Sequence, residues 1–514
     1  MNEQPRQSLR EIVERHGRSV ADDARRCEGL LKDYSAQYRR EVSVLVSALE
    51  EHVPQDLSAA PAGTPRRVLL ARLARRLADH RGLSETAAAW SVNSWALALG
   101  LISDDELKAA EEAAAAGVTD GLLSGDADAA VGGNGPTGTT ANVAPARKPA
   151  GSDSVVVSAS GGGDYASINE ALKHVAAGGR VLVRPGVYEE GVVLDKRVNI
   201  VGDGPREEIV VRVAGASCLK SSAEAARVAG LTLRGAADGG GGFFAVDVLR
   251  GELVLEACDI SSESISCVAA HGAGAAPFIK GCRIHDSADS GLYLFDGAAA
   301  TLEDCEVSRS ANVGVAVTGG ARAVIRRSQV YGGAHAGVVV WQDATALLEG
   351  CDVYGNRLAN LGVSEGAKLT ARACRIHEGE NSGVFVHLEG EAVLEDCELH
   401  GHRESEAAVT TRGRLFLNNC RVRDGQDSGV NIREGGQALL QACLVGGNSG
   451  AGVSVGGESV LAALASHING NARYAVEVAA GGTARVEDSD LTGNGLGAWD
   501  VEYGAEVESA RNTD

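Results

Sequence analysis

The sequence predicts a mainly β chain: a right-handed, three-sided parallel β-helix of about thirteen coils preceded by an all-α domain. Three observations carry this. Cys258 is followed after a first step of 24 by Cys282, from which Cys305, Cys351, Cys374, Cys397, Cys420 and Cys443 recur at a period of 23, with Ser328, Ser466 and Ser489 completing the ladder. Two apolar columns keep the same period two residues apart, one running from Leu292 through Val315 and Val338 to Val476, the other from Leu294 to Val501. Aromatic residues make up only 4% of the chain while Gly supplies 67 of 514 residues, so the core is built from Val, Leu, Ala and Ile between frequent turns.

Residues 1–118 carry helical periodicity, in LREIVERHG, in the stretch Tyr34–Leu57, in RRVLLARLARRLADH and in SETAAAWSVNSWALALGLI. Ser84 is placed to cap the last of these, Gly100 to end it, and Ser103 to Glu106 has capping-box spacing for one more helix. Trp90 and Trp95 are assigned to the core of this accessory domain. Residues 119–152, with GGNGPTGTT and APARKPAG, cannot bury enough apolar surface to offset chain entropy and read as a flexible linker. The β-helix occupies residues 153–510, with a cap helix near 165–176.

Each repeat holds three short strands with period-2 alternation. A repeat of 23 residues is too short for a propeller blade of about 40–45 residues, but it fits one turn of a three-sided coil. Stacked coils bury every alternate apolar position, and the chirality of parallel crossovers makes the coil right-handed. The cysteines fall two residues before inward Val, Ile or Leu and pack as small hydrophobes. Gly291, Gly314, Gly337, Gly383, Gly429 and Gly452, with Asn360 in one rung, form a column expected to need a left-handed backbone.

Composition narrows the function. The net charge of −21 argues against nucleic acid or an acidic membrane as partner. No run of 18 apolar residues is present, and the start MNEQPRQSLREIV lacks a basic segment followed by an apolar one, so a cytoplasmic location is expected. Zinc-type Cys spacing is missing, and neither metal nor cofactor is expected.

The segment SVVVSASGGGDYASINEALKHVAAGGRVLVRPGVYEEGVVLDKRVNIVGDGP resembles the entry of right-handed β-helix proteins of the pectin lyase-like superfamily. There a short amphipathic helix, here SINEALKHV, covers the first coil. The repeats after it resemble the short-coil class of carbohydrate-binding and sugar-hydrolase β-helices, and within it the β-helix of F-box-linked adaptor proteins. GGGDYASINEAL is also similar to pectin methylesterases, but their paired aspartates and arginine in a Gln-Asp-Thr-Leu context are absent, which argues against esterase chemistry. The N-terminal part, with RRCEGLLKDYSAQYRREVSVLVSAL, resembles a helical accessory module of bacterial multi-domain proteins. The superfamily implies a fold; it hosts lyases, hydrolases, epimerases and non-catalytic binders alike.

Outward columns supply the candidate residues. Glu303, Arg326, Glu349, Arg372 and Glu395 alternate in sign and read as a register and solubility ladder. On the Cys strand, Tyr331, Tyr354, His377 and His400, beside Arg375, line up as a face able to stack sugar rings or supply acid–base groups; an ordinary solvated surface is the competing reading. A second set, Tyr293, Phe295, Trp341, Phe385 and His387, places scarce aromatics on one side of the rod, as interaction sites do, unless another part of the chain covers them. These features favour a non-catalytic scaffold recognising a glycan or protein through one face, with a protein partner for the helical domain. The alternative is a polysaccharide lyase, hydrolase or epimerase. Against it stand the missing secretion signal, the acidic charge and the absence of long loops to wall a cleft.

Overall fold

The computed structural model describes residues 4–16, 20, 26–27, 30–31, 38–51, 53–59, 70, 73–74, 77, 85–102, 151–237 and 242–514. The chain forms two compact units, Met1–Thr140 and Ala141–Asp514.

In the first unit the described helices include α1 (Gln4–His16), α2 (Arg39–Glu50), α3 (Val53–Ala59) and α4 (Glu85–Ala98). The stretch Tyr34–Leu57, expected as one helical run, holds two helices, α2 and α3, because Pro54 has no N–H to continue a helical ladder and sits instead in the first turn of α3. Helix α4 packs against α1 and α2 and is apolar nearly all round, so Trp90 and Trp95 are buried as expected. The Trp95 indole donates to the Leu45 carbonyl at 2.9 Å, and the Arg6 guanidinium lies 5.4 Å over the Trp90 ring. Gly100 ends α4 with φ +69°, its N–H donating to Leu97 and that of Leu101 to Ala96. Ser84, the Ser103–Glu106 box, most of RRVLLARLARRLADH and the linker up to residue 150 lie outside the described residues.

Among the described residues the second unit is a solenoid of three parallel sheets: sheet 1 with 16 strands, sheet 2 with 13 and sheet 3 with 14. One repeat gives Leu292–Phe295 to sheet 3, Ala299–Glu303 to sheet 1 and Glu306–Ser308 to sheet 2. There are about 15 turns rather than thirteen. The early coils lack the Cys marker and the even spacing, and Gly497–Val501 with Glu506–Ala510 adds a turn beyond the last small rung. The cap helix α5 (Ile168–His174) buries Ile168, Ala171 and Leu172 in the solenoid core. Ser167 caps it, and the Glu190 carboxylate accepts from the Ile168 and Asn169 N–H groups at 2.7 and 3.0 Å, where the helix start is electropositive.

The glycine column is corrected by the structure. Gly291, Gly314, Gly337 and Gly383 do not have positive φ; a Cβ on Gly337 would meet the Asn360 carbonyl at 2.6 Å and a Cβ on Gly383 the Glu406 carbonyl at 2.5 Å. Room, not handedness, demands glycine there. Left-handed residues lie at other corner positions, among them those just before the Cys rungs, as at Asp304 (φ 54°), Arg327 (φ 45°) and Asp396 (φ 55°). Such residues cost about 1 kcal/mol each, and their N–H groups donate to the next coil, Asp304 to Arg326 at 3.1 Å and Arg327 to Glu349 at 2.9 Å.

All eleven cysteines are free and buried. Cys305 Sγ donates to the Glu303 carbonyl at 3.3 Å, and Ser328, in the rung where Cys is missing, makes the same bond to Arg326 at 2.8 Å. Cys27 and Cys218, which lie outside the ladder, are 0% exposed as well. Burial pushes the thiol of Cys218 up to about 11 and that of Cys267 to about 12. The alternating charges pair in register, Arg326 with Glu349 and Arg372 with Glu395, each at 2.7 Å. These pairs are well exposed and contribute little to stability.

Candidate functional site

Sheet 2 brings its predicted residues together in a ladder. Tyr331, Tyr354, His377 and His400 occupy one outward position in consecutive coils. Their rings stack with centroids 4.8, 5.0 and 4.9 Å apart and planes within 7° of parallel. The face is nevertheless no platform for a sugar, because the flat sides of the rings cover one another and only edges reach solvent. The edges are occupied as well. Tyr331 donates to Glu306, which raises its phenol pKa; the His377 Nε2 meets Asp352 Oδ1 at 2.9 Å; Arg375 pairs with the same carboxylate. Burial, then the Arg423 charge, holds the His400 imidazole below its ordinary range. Tyr331 and His377 thus spend both faces and edges within the column, while the buried Nδ1 of His377 has no hydrogen-bond partner among the described residues.

Sheet 3 divides the second predicted set. Tyr293 and Phe295 stack on each other at 4.6 Å, and Phe295 stacks on His271 at 4.9 Å. Phe385 and His387 stack at 4.7 Å four coils further along, about 19 Å away at the spacing of parallel strands, with Trp341 midway. The expected single patch is thus two. All five rings point outward but are half-buried by their neighbours.

Around Phe385 and His387 the surface opens into a groove of about 850 Å³. Its floor follows from side-chain size: the outward column reads Val339, Gly362, Phe385, Ala408 and Asn431, so one ring stands between two vacancies. One wall comes from the corners between sheets 2 and 3, with Asn381, Arg403, Glu404 and Asp427; the other comes from His387, Thr410 and Arg433. Two guanidinium groups and two carboxylates make the walls polar without a net excess of either sign. Burial holds the His387 imidazole below its usual pKa, so it is neutral at pH 7. An apolar ring on a floor with hydrogen-bonding walls can hold a ligand that has both an apolar face and polar edges.

Three features escaped the sequence patterns. The groove walls lie in corners, where the columns are least regular; the small-residue interruption at Gly362 and Ala408 was the signal available. Asp259 is 4% exposed on sheet 2, with Arg234 Nη2 at 2.6 Å, His285 Nε2 at 3.0 Å and Arg283 Nη1 at 3.3 Å. Burial alone would raise its pKa; His285 and Arg234 hold it low instead. Finally, His402 and Glu406 form a fully buried pair inside a corner beside the groove. Among the described residues no group of three or more His, Cys, Asp or Glu is arranged to hold a metal ion.

Comparison with known proteins follows the fold. Residues 266–413 and 364–514 match the family model described as right handed beta helix region. Among solved structures, the periplasmic alginate epimerase AlgG is similar at 11% identity and TM-score 0.42, covering 65% of this chain and 76% of that one. The Azotobacter vinelandii mannuronan C-5 epimerase AlgE6 A-module is similar at 14% identity and TM-score 0.37, covering 67% and 92%. The catalytic unit of the GH87 alpha-1,3-glucanase from Streptomyces thermodiastaticus strain HF3-3 is similar at 14% identity and TM-score 0.40, covering 73% and 70%.

Proposed function

Because Ala141–Asp514 is a right-handed parallel β-helix, we propose that it engages a polysaccharide segment in the groove on sheet 3. The observation that carries this is the Phe385 ring standing between Gly362 and Ala408 on the floor, with Arg403 and Arg433 on opposite walls. A pyranose lies on the ring; the guanidinium groups, Asn381 and Asn431 bond its hydroxyls or a carboxylate. The N-terminal helical unit would then serve a protein partner. Phe385→Ser should lower affinity for a bound oligosaccharide by about 2 kcal/mol while shifting the melting temperature little, measured by calorimetry across oligomannuronate, oligogalacturonate and gluco-oligosaccharide probes. Unchanged affinity for every probe the parent binds would remove the groove from consideration.

One observation favours a catalytic version of the same reading. His387 is a neutral imidazole in the groove, and Arg433 occupies the same column two coils on, past Thr410. A neutral base near a guanidinium suits proton abstraction beside a sugar carboxylate, the step shared by uronate lyases and epimerases. The base takes the C5 proton, and the electron pair moves toward the carboxylate that the guanidinium neutralises. Collapse then expels the C4 oxygen, which takes the proton from the His387 imidazolium; epimerisation would instead take a proton from water on the opposite face, with His387 releasing its own proton to solvent. His387→Gln would abolish formation of unsaturated or epimerised product and retain binding. A parent protein that binds a uronate chain and leaves it unaltered would establish the scaffold version.

A further inference from the structure

The inward position at the corner between sheets 2 and 3 recurs every 23 residues as Gly333, Asn356, Gly379, His402, Gly425, Asn448, Asn471 and Asn494. Where the rung is Asn, its side-chain oxygen accepts the N–H of the same position one coil earlier. Gly333 donates to Asn356 at 3.0 Å, Gly425 to Asn448 at 3.0 Å and Asn471 to Asn494 at 3.0 Å. These bonds tie coil to coil and leave no charge inside.

His402 breaks the pattern. The next rung is Gly425, which has no side chain to accept. The His402 N–H donates instead to Glu406 Oε1 at 3.0 Å, four residues on in the same corner, and the imidazole Nδ1 bonds the other carboxylate oxygen. Its Nε2 accepts from Asn360 Nδ2 at 2.8 Å, and Asn360 Oδ1 accepts from Asn356 Nδ2 at 2.8 Å. The glycines around it make the room. A Cβ on Gly379 would lie 2.9 Å from the His402 ring, one on Gly383 2.7 Å from it, and one on Gly425 2.9 Å from the Glu406 carboxylate.

His402 and Glu406 are both 0% exposed. Burying an acidic side chain against an imidazole is a poor route to stability, since taking a charge out of water costs several kcal/mol and an uncharged corner, as at Asn448 and Gly452, builds the same turn. What the pair does accomplish is closure of the corner upon itself. The residues between its two members are Arg403, Glu404 and Ser405, all three on the groove wall, and the Ser405 hydroxyl bonds Asp427 Oδ2 at 2.9 Å on the next corner of that wall.

We propose that His402 and Glu406 are positioning residues of the sheet 3 groove: their buried pair fixes the 403–405 corner so that Arg403 meets a saccharide without having to be ordered on binding. This rests on the groove being the glycan site, and the saving is the ordering cost that a free arginine would otherwise incur.

The test exchanges the corner for its uncharged counterpart. His402→Asn with Glu406→Gly reproduces the residues at 448 and 452. The full-length double variant should melt below the parent temperature, because Gly425 gives the N–H of residue 402 no side-chain acceptor where Asn448 has Asn471. It should bind the best parent oligosaccharide probe at least about fivefold more weakly, and show faster amide hydrogen exchange at 402–406 with neighbouring corners unchanged. Arg403→Ala should weaken binding in the parent and change little further in the exchanged background. Glu406→Gln keeps an oxygen for the His402 N–H and should restore most of the affinity; it is also the milder variant should the exchange prevent folding. Equal cost of Arg403→Ala in both backgrounds, or unchanged exchange at 402–406, overturns the inference. A parent that binds through residues other than the groove's overturns the groove reading, and the hydrogen-exchange arm then decides the positioning of the corner by itself.

Discussion

The outward faces of sheets 2 and 3 are built on the same repeat, yet one is closed chemistry and the other open. On sheet 2, Tyr331, Tyr354, His377 and His400 follow one another without a gap, and the edges of Tyr331 and His377 meet Glu306 and Asp352. On sheet 3, Phe385 stacks on His387 of its own coil but stands between Gly362 and Ala408, so the column on either side of it leaves space. Parallel strands about 4.8 Å apart bring outward rings of consecutive coils close to stacking distance. A run of large residues therefore consumes its own binding surface, and a site appears where the run is interrupted. Aromatic content alone does not distinguish the sealed face from the open one.

The sharpest way to break this comparison is to close the groove from within. Gly362 has ordinary φ, and a Cβ there would make only van der Waals contact with Val339 at 3.5 Å. Gly362→Tyr should extend the rings from Phe385, leave the melting temperature unchanged or higher, and lower oligosaccharide affinity by about 3 kcal/mol, as loss of a central anchor pocket does. Binding that survives this change would separate the groove from the glycan site. The converse change opens the ladder. Tyr354→Ala uncovers the faces of Tyr331 and His377 and should lower stability by about 2 kcal/mol in denaturant melts, with no effect on saccharide binding.

A smaller effect comes from pH. His400 on sheet 2 and His387 in the groove both have pKa values lowered in the folded chain, so the folded state binds fewer protons than the unfolded one below their ordinary value of about 6.5. Their contribution to stability is fully present above that pH and declines as pH falls through the folded pKa values. Glu398, held low by Arg423, adds a second decline below about pH 4. Thermal melts from pH 8 to 3 should show both steps, and His400→Asn should diminish the first. Saccharide at saturation should protect His387 alone, since it lies in the groove and His400 does not. The smallest expected effect is none at all. With all eleven thiols buried, thiol titration of the native protein should modify no cysteine, whereas denaturant should expose every one. Reaction of a ladder cysteine would mean that the coils open locally.

Much of the solenoid was legible because it is periodic. A column such as Cys305, Ser328 and Cys351 fixes facing, strand placement and neighbour identity at once, and the register of sheets 1 and 2 follows from it directly. The ring ladder was legible as a line of residues, but its chemistry was not. Whether a ring offers its face or spends it on a neighbour depends on side-chain rotation.

The corners were opaque for a related reason. The glycine column was visible as a repeat, yet the same pattern fits a left-handed turn and a position with no room for a Cβ. Only the packing of Gly337 against Asn360 and of Gly383 against Glu406 decides between them. Sequence alone determined the three-sided parallel coil, the inward cysteines and the paired charges, since all depend on residue order at one constant period. Tertiary structure decided where the rod is sealed and where it is open. The groove and the buried His402–Glu406 pair arise from distances between residues of different coils, where the loss of a single side chain leaves space that another element lines.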